Sequence, residues 1–252
     1  KKELQGIEVE DGTIYYSNKV ILATGHSARD VYQHLFEINC DLKAKDFAVG
    51  VRVEHSRKLI NQIQLGEFAN SKLLETANYR LTCHNKKTDR GTYSFCMCPG
   101  GHVLSSGTEA NGLVTNGMSN FSRSAPWSNS ALVTSIIAEK DFNGFLGGVE
   151  FQRKIEQAAY NYSKEFATGK ELPAQTIQDF LEGKKSIKLL KTSCPSGLVS
   201  INLESILPSF IVEHLKSSLE NFERKMPGFI SKQGMLIAPE TRTSSPVIIT
   251  RD

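Results

Sequence analysis

The sequence predicts an α+β fold with a mixed or antiparallel sheet and several helices. Three observations carry this. Phe47, Val49, Val51 and Val53 alternate along one strand. A second strand-rich stretch runs from Gly91 to Ser105 and is broken at Pro99-Gly100-Gly101. The period then changes: Phe151, Ile155, Ala158, Ala159, Tyr162 and Phe166 recur at helical spacing. Strands first and helices later is the α+β order. With 39% apolar and 23% charged residues over 252 positions, the chain has the balance of a soluble globular protein and length for a sizeable core.

Gly6 to Tyr16 reads as a hairpin. Ile7 and Val9 alternate with Glu8 and Glu10, and Asp11-Gly12 is a strong two-residue turn signal. Val20 to Ala23 reads as a short buried strand that stops at Thr24-Gly25. A helix over Ser27 to Phe36 follows, with Ser27 as cap. Phe47 to Val53 is the next strand, with Arg52 and Glu54 on its polar face. Glu67 to Tyr79 is helix-like. Gly91 to Cys98, His102 to Ser105 and Gly112 to Thr115 read as strands of an antiparallel sheet. Asn129 to Glu139 predicts a buried helix, with Leu132, Val133, Ile136 and Ile137 in phase. Glu150 to Phe166 predicts another. Pro173 suits the first turn of a helix that stops at Gly183. Ile206 to Arg224 predicts a long amphipathic helix with Pro208 in its first turn, ended by Pro227-Gly228. Pro246 to Thr250 reads as a last strand.

The net charge of +3 is too small to argue for nucleic acid. The densest basic run, Lys184, Lys185, Lys188 and Lys191, reads as a solvated loop face. No apolar segment approaches the ~20 residues of a membrane-spanning helix. Cys40, Cys83, Cys96, Cys98 and Cys194 match neither a zinc ribbon nor a secreted disulfide framework, which points to a reducing cytoplasm. No metal-ligand set, serine-hydrolase elbow, phosphate-binding P-loop or metalloprotease helix is present.

The hairpin, the apolar strand and Ala23-Thr24-Gly25 together resemble the second half of the FAD-binding domain in flavoproteins with two dinucleotide-binding folds. Small residues at such a strand end let the backbone approach the cofactor. Four further blocks extend the likeness over nearly the whole chain: Phe47-Ala-Val-Gly-Val-Arg-Val-Glu-His55, Tyr93-Ser-Phe-Cys-Met-Cys-Pro-Gly-Gly101, Thr115-Asn-Gly-Met-Ser119 and Glu240-Thr-Arg-Thr-Ser-Ser-Pro246. They are similar to the bacterial FAD-dependent dehydrogenases (NAD/FAD-utilising dehydrogenases), whose substrate is generally unassigned. The resemblance implies residues 1–45 as part of a Rossmann-like FAD-binding domain, 46–239 as a substrate or cap domain, and 240–252 as the return to the FAD domain. No Gly-x-Gly-x-x-Gly occurs. We therefore expect an internal part of a longer flavoprotein that alone binds FAD weakly or not at all.

The family keeps Cys96 and Cys98 in one block. In an extended strand their Cα atoms lie roughly 6.5 Å apart on one side, a poor disulfide spacing. They read as pocket-lining thiols, as a redox or metal pair, or as small buried hydrophobes. His55 is an acid or base candidate or a structural strand end. Arg123 lies in a block where polar substrate contacts fit. Ala23, Thr24, Gly25 and His26 would face the flavin, with Arg242, Thr243, Ser244 and Ser245 close to the cofactor cleft. Arg242 suits a phosphate, a substrate carboxylate, or a salt bridge to Glu240 or another carboxylate. The implied cofactor is FAD, with NAD(P)H open as reductant. Two other readings stand beside the oxidoreductase one: a non-catalytic binding or assembly module, and an RNA-modifying flavoenzyme, which the small net charge opposes.

Overall fold

The computed structural model describes residues 3–250 and has the α+β architecture. The strands in chain order are β1 (Gly6–Glu8), β2 (Ile14–Tyr16), β3 (Leu42–Ala44), β4 (Phe47–Ser56), β5 (Thr82–Asn85), β6 (Arg90–Cys98), β7 (Gly101–Ser105), β8 (Thr115–Ser119), β9 (Trp127–Ile136), β10 (Leu172–Thr176), β11 (Leu198–Ser200), β12 (Met235–Glu240) and β13 (Val247–Ile249). The helices are α1 (Arg29–Glu37), α2 (Arg57–Leu65), α3 (Gly147–Phe166), α4 (Ile177–Glu182) and α5 (Ser209–Lys225).

Seven strands form one sheet in the order β11-β10-β12-β4-β9-β6-β5. Only β10 and β11 run parallel; the other pairs are antiparallel. β4 and β9 pair without a break from Phe47↔Ile136 to Ser56↔Trp127 and form the spine of the sheet. Phe47, Val49, Val51 and Val53 share one apolar core with Ile155 of α3 and with Ile211, Leu215 and Phe222 of α5. β7 and β8 form a hairpin against the opposite, outer face. A small second core joins Tyr32 of α1, Leu42 of β3, Val149 of α3 and Val247 of β13. Ser245 and Tyr32 link the same elements through their hydroxyls, 2.9 Å apart.

The first hairpin forms as expected around Asp11-Gly12. Gly12 has φ +82, which suits glycine, and Asp11 accepts from the Thr13 amide at 2.9 Å. α3, α5 and β13 also fall where the pattern places them.

Several elements differ. Asn129 to Glu139 is not a helix: Trp127–Ile136 is the central strand β9. β9 is buried on both faces, so its apolar Ala131-Leu132-Val133 run with Ile136 does not alternate and also satisfies helical spacing, while its buried polar residues Ser128, Asn129, Ser130 and Thr134 are held by the sheet. Glu67 to Tyr79 is a short 3-10 turn and irregular chain. The helix lies just before it, at α2, where Ser56 accepts from the Leu59 amide at 3.2 Å and caps the first turn. Pro173 lies in β10, not in a helix. The Leu172 amide and the Ala174 carbonyl make the flanking bonds to β11, so the donor that proline lacks is not missed there. α4 starts after Thr176, whose side chain accepts from Asp179 N, and ends at Gly183 with φ +68. Val20 to Ala23 is exposed and pairs with no strand among the described residues, rather than forming a buried strand. β7 and β8 form their own two-stranded sheet, and the expected strand at Gly112 begins at Thr115. Arg52 and Glu54 are buried, not a solvated polar face.

Candidate functional site

Strand alternation sends Phe47, Val49, Val51, Val53 and His55 towards the helices, and Ala48, Gly50, Arg52 and Glu54 to the outer face. Arg52 is fully buried there. Its Nε and Nη2 donate to Glu240 of neighbouring β12 at 2.9 and 3.1 Å, a bidentate pair. Nη1 donates to Asn129 Oδ1 at 2.9 Å and to the Cys96 carbonyl at 3.3 Å. Burial works against the guanidinium charge, but Glu240 outweighs it and holds Arg52 above its ordinary value. Thr115 adds a hydroxyl to Glu240 at 3.1 Å. The β8 backbone crosses this network at Gly117. A Cβ there would lie 2.3 Å from Arg52 Nη1 and 2.2 Å from Asn129 Oδ1, so only glycine fits.

The Cys96 carbonyl belongs to a β-bulge. The register of β6 on β9 shifts between Phe95 and Cys98, and Cys96 takes φ +46, an uncommon conformation for a residue with a side chain. The bulge separates the two thiols. Cys98 is buried and donates to the Cys96 carbonyl at 3.3 Å, whereas Cys96 is exposed. The extended-strand geometry expected from Cys-x-Cys therefore does not hold. Burial, opposed by Arg52, pushes the Cys98 thiol up to about 11, so it stays protonated at neutral pH. Cys96 lines a groove of about 630 Å³ along the β5–β6 edge, together with Tyr79, Arg80, Thr82, His84, Tyr93 and Phe95.

Next to Arg52, Glu54 is buried and accepts from the Ser193 amide at 3.2 Å, with the Ser193 hydroxyl as a further donor. Burial raises the Glu54 carboxyl above the usual range, against the pull of these donors and of His102.

His55 faces the helices, away from Cys96. Its Nε2 pairs with the Phe229 carbonyl at 2.9 Å, its Nδ1 has no partner among the described residues, and burial lowers it to about 4. It is neutral at pH 7 and packs against Phe229. Arg123 lies on a loop with φ +47 and makes an exposed ion pair with Glu75 at 3.1 Å. It lines a different cavity, of about 440 Å³, with Thr76, Ser119 and Phe121. The four residues expected to act on substrate thus do not share a pocket.

The expected cofactor segments do converge. Arg242 donates from Nε and Nη2 to the two oxygens of Glu156 on α3, at 3.2 and 3.0 Å. Arg29, just past the Thr24-Gly25 turn, donates to the same two oxygens at 2.9 and 2.8 Å. Thr241 adds a hydroxyl at 2.7 Å. Burial would raise Glu156, but the donors from Arg242 and Arg29 hold it low. His26 feels the same cluster: partial burial first, then the charges of Arg242 and Arg29, lower it. Arg242 is thus paired to a carboxylate, Glu156 rather than Glu240, and its remaining nitrogen donates to Thr108. Thr243 bridges the amide and carbonyl of Ala48 at 3.3 and 2.9 Å. Ser245 caps its own turn, accepting from the Val247 amide at 3.1 Å, and Ser244 is half-buried. Ala23, Thr24 and Gly25 are exposed. Gly25 has φ +77, and a Cβ on it would meet nothing within 4 Å. A cavity of about 530 Å³ opens between Thr24, Ser27 and Arg29 on one side and Thr108 and Glu109 on the other. The open backbone at Gly25 fits close approach by a flavin. The guanidiniums of Arg29 and Arg242 are already committed and do not offer free phosphate contacts.

Residues 46–243 match the family described as "FAD-dependent protein, C-terminal domain-like". The chain belongs to this family. A relative from Clostridium beijerinckii, described as an uncharacterized protein, is 41% identical over 237 residues. That match covers 92% of this chain and 44% of the relative, so the chain spans less than half of the relative's length. Membership in the FAD-dependent family makes this a flavoprotein-related domain. Among the described residues, no helix is long and apolar enough to cross a membrane.

Sequence reading missed Glu156, Arg29, Asn129 and Gly117. Glu156 sits on the helical face of α3 like any solvated glutamate, and nothing in its neighbours marks it. Gly117 lies within a quoted block, but only the crossing strand shows why it is glycine.

Proposed function

We propose that the chain is the substrate-facing part of an FAD-dependent oxidoreductase, a dehydrogenase acting on a small molecule. The observation that carries this is the convergence at Glu156. It joins the backbone beside Thr24-Gly25-His26 to the Arg242-Thr-Ser-Ser245 segment, which comes from the other end of the chain. The residues that would lie against the flavin are Ala23, Thr24, Gly25, His26 and Thr243 to Ser245. The flavin, when bound, would supply the hydride or electron transfer. Arg242 would act by locking Glu156, not by gripping a phosphate.

Residues before Arg29 support the same reading. Tyr16 is 80% exposed and Ile21 94% exposed, with Ile14, Tyr15 and Leu22 also open. Apolar side chains in such density belong under a cover. The greater length of the relative leaves room for the rest of an FAD domain to provide it. NAD(P)H as electron donor rests on the resemblance alone. Five free cysteines favour a reducing, cytoplasmic setting.

The test is the visible absorption spectrum of the gene product with its natural ends. Two flavin bands that bleach on anaerobic reduction support the reading. A protein that stays colourless after incubation with FAD sinks it and brings forward the binding-module alternative. Salt-sensitive retention of total tRNA on a filter would instead favour the RNA-modifying alternative.

A further inference from the structure

The groove beside Cys96 has a composition that selects its occupant. Strand alternation turns Tyr93 and Phe95 of β6 to the outer face, and the pairing Thr82↔Tyr93 and His84↔Gly91 places Thr82 and His84 beside them. Gly91 presents no side chain, so the floor stays low at that end. Phe95 is 41% exposed, an uncovered ring on a sheet otherwise well packed. Among the described residues, the lining contains no carboxylate. Its polar groups are Arg80, His84 and hydroxyls. Arg80 is exposed and makes no ion pair among the described residues. Asp89, in the β5–β6 turn, lies 3.3 Å from His84. An aromatic floor, an open slot and an unspent guanidinium make a site for an organic anion with an apolar body.

We propose that this groove binds an apolar or aromatic carboxylate, with its body over Tyr93 and Phe95 and its carboxylate on Arg80. This deepens the oxidoreductase reading by naming a substrate class, and it rests on that reading for the chemistry but not for the binding.

Cys96 gives a local reporter, because its thiol is exposed in the groove while Cys98 is buried. The experiment uses the protein with its natural ends. The rate of N-ethylmaleimide addition at Cys96 is followed by peptide mass mapping, with phenylacetate or octanoate present, each against its neutral amide. The acids should slow labelling in a saturable way and the amides should not. Arg80→Met should weaken protection about tenfold or more, the loss expected for a charge-assisted contact. Gly91→Val should abolish it while leaving the fold intact. A Cβ at this position would meet Ser135 Oγ at 3.5 Å and Tyr93 Cδ1 at 3.9 Å, ordinary contacts, and the valine methyls would extend from it beside Tyr93.

Equal protection by acid and amide, or full protection in Arg80→Met, overturns the anion assignment. No protection by either acid overturns the groove as a site for this class. The flavin spectrum of the same sample keeps the two questions apart. Protection in a colourless protein leaves the groove standing without the flavin; a yellow protein with no protection does the reverse.

Discussion

Along β4, Phe47, Val49, Val51 and Val53 meet the helices, while Ala48, Gly50, Arg52 and Glu54 point to the outer face. Both sets are buried, yet the second contains two ionisable groups. The helix side is held by apolar area, which tolerates exchange of one hydrophobe for another. The outer side is held by directed bonds among Arg52, Glu240, Asn129 and the Cys96 carbonyl. A buried ion pair is a weak source of net stability, because desolvation consumes most of the Coulomb gain. What the outer face obtains instead is position: a fixed bulge at Cys96 and a fixed β8 crossing at Gly117. Precise placement on one face and bulk stability on the other suit a domain whose outer face works on a ligand.

The largest effect should come from breaking that pair on one side only. Arg52→Met strands Glu240 in a dry site and should cost about 3–5 kcal/mol in urea unfolding. Arg52→Met with Glu240→Leu should recover most of that loss. If the double variant is as unstable as the single one, the contrast between the faces is wrong.

The helix side carries its own titration. His55 is depressed from 6.5 to about 4, so the unfolded chain takes up the proton first. The stability it contributes is complete above pH 6.5 and is lost as pH falls towards 4, about 3 kcal/mol in all. His55→Gln keeps a donor for the Phe229 carbonyl and removes the titration. Its melting temperature should fall less than that of the unaltered protein over this range.

Glu54, on the outer side, has the opposite sign. Its carboxyl is raised, so its favourable contribution is complete below the ordinary glutamate value of 4.5 and is lost as pH rises through the folded value. Glu54→Gln should therefore gain stability relative to the unaltered protein as pH increases from 4.5 to 7 in thermal melts.

Glu156→Gln keeps the shape of its cluster but halves the pairing of Arg29 and Arg242. We expect a loss of about 1.5–3 kcal/mol in unfolding, the range for bonds to charged groups. FAD affinity of the protein with its natural ends, read by flavin fluorescence, should fall with it. Unchanged affinity would leave the cluster with a structural role only.

The smallest effect belongs to Arg123→Ala. Its pair with Glu75 is exposed and should be worth no more than about 0.5 kcal/mol. A large loss of turnover without a loss of stability would return Arg123 to the list of substrate contacts.

Much of this molecule is legible in its residues. Asp11-Gly12 places the first hairpin, although its loop is one residue longer than the two-residue turn the pair suggests: Val9 and Thr13 close it, and Gly12 alone takes the positive φ it needs. The alternation of β4 and the helical phases of α3 and α5 follow from burying one face of each element. Five quoted blocks carry the family. The limit appears where local pattern and tertiary environment part. Leu132, Val133 and Ile136 satisfy a helical period and sit in a strand, because β4 and β6 cover both flanks of β9 and two layers cover its faces. Propensity is a weak prior against that much pairing and burial.

The site divides in the same way. The residue types were readable: cysteines in one block, an arginine among hydroxyls, a glycine at a strand end. Their company was not. Cys96 and Cys98 stand two positions apart, yet a single extra residue in β6 sends one thiol to solvent and the other into the sheet. Arg29 and Glu156 stand 127 positions apart and share two hydrogen bonds. Sequence by itself determined the fold class, the family and the kinds of chemistry on hand, because these depend on periodicity and on composition over short spans. Only the tertiary structure decided which charges are spent on each other and which, like Arg80, have no ion-pair partner among the described residues, because pairing depends on distances that long-range packing sets.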